Sequence, residues 1–191
     1  MAKAVTQVLG TQTRPAEWIR QTGIVIGASL FIALCAKVTI PLPITPVPLT
    51  LQNFAVILVG LLLGSRRGFA ALALYLMEGA SGLPVFNPTG VGGVAQILGP
   101  TGGFLMAYPF VAFVTGWIYE HTSRRFAWAA IAGLAGEIVL FAGGLSWLFA
   151  LTHSVSTAIK FGLYWFVFAE VIKIAMAAGI AERWNRRFAT R

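Results

Sequence analysis

The sequence predicts an all-α integral membrane protein, six transmembrane helices with two irregular loops capping the outer side. Three observations carry this. First, 58% of the 191 residues are hydrophobic and only 10% charged, with a mean hydropathy of +0.80, where a soluble domain carries about 25% charged residues. Second, the basic residues fall in short clusters between apolar runs, as the positive-inside rule distributes them. Third, two connectors between apolar runs have compositions that no regular helix tolerates.

The apolar runs lie at about 22–40, 49–64, 68–84, 102–120, 126–149 and 159–181, and a span needs roughly 20 such residues. The second and third are short, and Arg66-Arg67 marks the turn between them. Residues 1–21 read as a polar cytoplasmic tail with an interfacial turn around Trp18, and residues 22–182 as the membrane domain. Residues 183–191 form a basic cytoplasmic tail. No cleavable signal peptide is expected in the first twenty residues, which lack a hydrophobic core.

Orientation follows from charge. Eleven of the fourteen basic residues (Lys3, Arg14, Arg20, Arg66, Arg67, Arg124, Arg125, Arg183, Arg186, Arg187 and Arg191) fall on one side, which places both termini in the cytoplasm. The clusters sit beside apolar runs, so the net charge of +8 marks a membrane protein rather than a nucleic-acid binder. Of the other three, Lys37 and Lys160 are placed to snorkel to the outer interface. Lys173 lies near the middle of the last span.

The first outer connector, Pro41-Leu-Pro-Ile-Thr-Pro-Val-Pro-Leu-Thr-Leu-Gln52, packs four of the nine prolines into eight residues. Fixed φ and missing donors exclude a helix and predict a stiff, polyproline-like wall over a site in the membrane, the plainer reading being a hydrophobic hairpin. The second runs from Gly79 to Gly103 and is rich in glycine, with Pro84, Pro88 and Pro100. Its glycines lack the Gly-Lys-Ser/Thr of a phosphate loop. Thr101 reads as the N-cap of the fourth span, an outward helix end suited to an anion.

Below these loops lie polar residues that the bilayer disfavours. A charge at mid-span costs about 2.5–3.5 kcal/mol, yet Glu137, Glu170 and Lys173 are all deep. At ~1.5 Å per residue from the cytoplasmic arginines they stand roughly 15–20 Å up, and Tyr108 about 24 Å. Glu170 and Lys173, three apart, share a helical face and form either a self-neutralising pair or the polar wall of a ligand pocket. Glu137, between glycines, has an unassigned partner. His153 reads as solvated and His121 as interfacial. On the first span Gly23 and Gly27 share one face, Ser29 and Ala33 another, for helix packing or for docking a second membrane protein. Cys35 is alone, aspartate is absent, and no metal cluster or hydrolase motif is present, so neither an enzyme nor a cofactor is expected.

Taken together, PLPITPVPLTLQ, Leu63-Gly64 before Arg66, Gly82-Leu-Pro-Val-Phe86 and Gly99-Pro-Thr-Gly-Gly103 closely resemble the BioY family. Its members are the biotin-specific membrane components of energy-coupling-factor transporters. The resemblance covers about residues 22–181. It implies a six-helix subunit of the bacterial cytoplasmic membrane, with an outward-facing biotin site capped by the two outer loops. The implied partners are a transmembrane coupling protein and two ATPase subunits. By position, the family's acid and lysine on the last helix are Glu170 and Lys173, with glutamate where aspartate is common. Gln52, Asn87 and Glu170 suit the ureido head of biotin and Lys173 its carboxylate. Tyr108, Phe86, Phe104 and Trp165 are the candidate walls. A ligand-free scaffold and a self-sufficient proton-coupled carrier, using Glu137 or Glu170, are the competing functions.

Overall fold

The computed structural model describes residues 15–189, so Lys3, Arg14, Arg191 and the rest of the outermost tails lie outside the described residues. The order is α1 (Pro15–Lys37), β1 (Thr39–Ile40), β2 (Leu49–Thr50), α2 (Gln52–Ala80), α3 (Gly93–Leu98), α4 (Gly102–Glu120), α5 (Phe126–Thr152), α6 (Val155–Gly162) and α7 (Val167–Ala189). The described residues are helical, with one two-residue antiparallel pair among them. α1, α2, α4 and α5 are long and apolar enough to cross a membrane, and α6 with α7, bent by 47°, makes a fifth candidate.

Length alone therefore gives four or five spans, because the expected second and third fall within α2. α2 is not straight. Gly64 sits at φ 80°, ψ 178°, outside helical geometry, and the chain folds back there. A Cβ on Gly68 would lie 3.3 Å from Gly60 Cα, and Gln52 Nε2 donates to the Tyr75 hydroxyl at 3.0 Å. Glu120, at the end of α4, holds the reversal by accepting from the Ser65 amide at 3.1 Å and its hydroxyl at 2.8 Å. A Cβ on Gly64 would overlap that carboxylate, so sterics and backbone both require glycine. The hairpin grips α4 closely: Gly60 faces the Ala112 backbone, and Gly116 faces Gly64 and Ser65. Small residues let these backbones approach where hydrophobic driving force between helices is weak.

Three ends differ from expectation. α1 begins at Pro15, so Trp18 is helical rather than in a turn; proline is favoured in a first helical turn. α7 runs on to Ala189 through the expected tail, with Glu182 and Arg186 paired at 3.0 Å. The expected sixth span, in contrast, is broken at residues 163–166.

The proline connector is a hairpin, not one extended rod. Thr39 pairs with Thr50 and Ile40 with Leu49, and the prolines fill the loop between, where missing donors end the ladder. Thr45 ties this loop in: its hydroxyl accepts from Val47 N at 3.1 Å and donates to the Phe161 carbonyl at 2.7 Å. The second connector holds α3, which the sequence reading did not anticipate, entered through Gly92 (φ 75°) and Gly93 (φ 61°). Lys37, exposed at the end of α1, donates to the carbonyls of Pro84 (2.5 Å) and Phe86 (2.8 Å), pinning this loop to α1. Lys160 is exposed on α6. His153 is exposed and closes α5 at φ 52°, while exposed His121 lies 2.7 Å from the Trp117 carbonyl. The two small-residue faces of α1 part company: Ser29 is buried and donates to Glu78 Oε2 at 2.5 Å, while Gly23 and Gly27 face open space.

Candidate functional site

Three helices begin around one cavity beneath the two irregular connectors. α2 contributes Gln52 and Asn53 from its first turn. α4 contributes Phe104, Leu105 and Tyr108, with Thr101 at its N-cap position making no side-chain cap bond. α7 contributes Glu170, in the first turn after the break. The cavity has about 510 Å³ of atom-free space, its mouth included, and is also lined by Val47, Pro48, Thr50, Asn87, Leu140, Phe141, Gly162, Phe166 and Lys173.

The break before α7 explains why a carboxylate stands at this depth. Residues 163–166 turn, Phe166 is buried, and the Glu170 amide bonds the Phe166 carbonyl at 2.9 Å as the helix restarts. Glu170 thus lies at a helix N-terminus, where the backbone dipole favours negative charge.

Glu170 Oε1 accepts from Lys173 Nζ at 2.7 Å, and both are buried. Glu170 Oε2 accepts from Asn53 Nδ2 at 2.6 Å, and the same amide nitrogen donates to Glu137 Oε1. The pair is therefore both a salt bridge and part of the cavity wall. Glu137, whose partner the sequence left open, stands behind Asn53 and outside the lining.

Of the residues proposed from the sequence, Gln52, Asn87, Tyr108, Glu170 and Lys173 converge on this cavity, with Phe104 among its walls. Phe86 and Trp165 do not line it. Phe86 is buried against Tyr75, ring centres 5.4 Å apart, in the space that Gly79 leaves open. Trp165 is 42% exposed and packs on Tyr164. Sequence reasoning missed Asn53, Thr50, Phe141 and Phe166. Asn53 follows Gln52 directly, and its polarity at the head of an apolar run was the available signal.

The polar inventory is specific. Gln52 Nε2 is taken by Tyr75. Asn87 Oδ1 accepts from the Thr89 hydroxyl at 2.7 Å, which leaves its amide hydrogens to face a ligand. Lys173 uses one of its three donors on Glu170. The lining sets amide, carboxylate and ammonium groups between aliphatic and aromatic walls.

Comparison with known proteins points the same way. The sequence model of the BioY family matches residues 5–190. A protein of Thermotoga maritima named "Biotin transporter BioY" is 40% identical over 159 residues, covering 83% of this chain and 93% of the relative. A "Probable biotin transporter BioY" of Pyrococcus horikoshii is 40% identical over 156 residues, 81% of this chain and 91% of the relative. A crystal structure described as the S-component for biotin from an ECF-type ABC transporter superposes with a TM-score of 0.80. It is 25% identical, covering 91% of this chain and 95% of that one.

Proposed function

This chain belongs to the BioY family, and we propose that it captures biotin at the outer face of the bacterial cytoplasmic membrane for uptake. It is a biotin-binding membrane component, and its task is transport rather than catalysis. The observation that supports the site is the convergence of Asn87, Glu170 and Lys173 on one cavity between Phe104, Tyr108 and Phe166.

Biotin is a fused apolar bicycle with a ureido head and a carboxylate tail. The Asn87 amide donates to the ureido carbonyl, Glu170 and Gln52 oxygens face its N–H groups, and the free donors of Lys173 hold the tail. Two helix N-termini, those of α4 and α7, add positive potential where the anion lies. Tyr108 and Phe104 sandwich the bicycle, and Val47 and Pro48 of the proline hairpin close over it.

The chain crosses the bilayer six times with both termini inside. The reversal at Gly64 supports counting α2 twice, and Arg66, Arg67 and Arg124 meet Trp184 and Asn185 around one recess at the end remote from the biotin cavity. Residues 22–182 form the membrane domain between the two cytoplasmic tails. The sequence contains no phosphate-loop motif, so energy comes from partners, a transmembrane coupling protein and two ATPase subunits. Mass spectrometry of the small molecule that copurifies with the chain tests the ligand. Biotin is expected, and a reproducible different occupant would overturn the reading.

A further inference from the structure

The floor of the cavity holds an amide whose orientation is settled by its neighbours. Asn53 is 3% exposed and lines the cavity. Its nitrogen donates to Glu137 Oε1 from α5 and to Glu170 Oε2 from α7. An amide nitrogen has two hydrogens, and both are used here. Turning the amide over would set its oxygen against Glu170 Oε2, part of a carboxylate already salt-bridged to Lys173. Its carbonyl oxygen, Oδ1, is left buried with no hydrogen-bond partner, a state that buried polar atoms seldom keep. Glu137 does not reach the cavity. It stands behind the lining beside Glu170, and it accepts from the Asn53 amide.

Resting on the assignment of this cavity to biotin, we infer that Asn53 is a specificity-determining residue whose Oδ1 accepts one ureido N–H. Glu137 is a positioning residue that holds the amide with this oxygen presented. The head of the ligand is then read by opposite chemistries: Asn87 supplies a donor to its carbonyl, and Asn53 supplies an acceptor to its N–H. A ring without that N–H leaves Oδ1 buried and unpaired, which is how a polar site rejects a close analogue.

The test is calorimetric titration of the purified full chain with biotin and with two analogues, each methylated on a different ureido nitrogen. Wild type binds one analogue weaker than biotin by roughly ten- to a hundredfold. Asn53→Ala lowers biotin affinity by a similar factor and binds that analogue as well as biotin, since the shortened side chain leaves room for the methyl. Glu137→Leu does the same by releasing the amide. Glu137→Gln, which keeps an oxygen to accept from Asn53, preserves both affinity and discrimination. If Asn53→Ala does not fold, the two Glu137 variants decide. Discrimination that survives in Asn53→Ala or in Glu137→Leu, with biotin still bound, overturns this inference alone. Failure of wild type to bind biotin overturns the ligand assignment and the inference together.

Discussion

Replacing Gly64 by alanine probes the joint on which the helical hairpin turns. Gly64 holds φ 80° with ψ 178°, a region open essentially to glycine, and forcing another residue there costs about 1–3 kcal/mol. The new methyl also overlaps the Glu120 carboxylate that accepts from Ser65 N and Oγ. Driving that carboxylate away removes a capping interaction worth about 0.5–2 kcal/mol. Together Gly64→Ala loses about 1.5–5 kcal/mol of stability. Unfolding in detergent, followed by tryptophan fluorescence, measures it. A double-mutant cycle separates the contributions: Glu120→Ala alone removes only the cap. In that background Gly64→Ala retains the backbone strain but meets no carboxylate, so the two losses sum to more than the double mutant shows. A Gly64→Ala protein within about 0.5 kcal/mol of wild type would refute this account of the reversal.

Two further predictions concern topology and the outer loop. In a Cys35→Ala background, Ser123→Cys resists an impermeant thiol reagent in intact cells and His153→Cys reacts; both positions are exposed, and labelling at 123 from outside would invert the orientation. Replacing Pro43, Pro46 and Pro48 together by alanine leaves insertion intact but weakens biotin binding in a titration. The freed loop must then be ordered at about 1–2 kcal/mol per residue fixed, and unchanged affinity would reduce the hairpin to a plain connector.

The parts legible in the sequence are those where composition and mechanism coincide. Prolines at 41–48 cannot continue a helix, the arginine pairs mark helix ends, and a carboxylate three residues from a lysine in an apolar run has few uses other than a buried pair or a site. The helix break at residues 163–166 was not legible, because Leu-Tyr-Trp-Phe is as apolar as a span and its turn is set by packing: Gly162 fits against Leu148 and Phe104. The role of Asn53 was hidden for a similar reason. Glu137 and Glu170 meet at its amide from positions 84 and 117 residues along the chain, a convergence only the folded bundle creates. Nor does the sequence single out Glu78, which accepts from Ser29 and joins α1 to the hairpin.

The most direct test of the whole account is titration of wild type and Lys173→Ala with biotin and with biotinamide, whose tail is uncharged. Lys173 is buried beside Glu170 in the cavity wall, and removing one member of a buried charged pair typically costs about 3–5 kcal/mol. One biotin binds per wild-type chain, with a clear preference for biotin over biotinamide, and Lys173→Ala loses that preference. A preference that persists unchanged without the lysine would contradict this assignment and move the carboxylate to the N-terminus of α4.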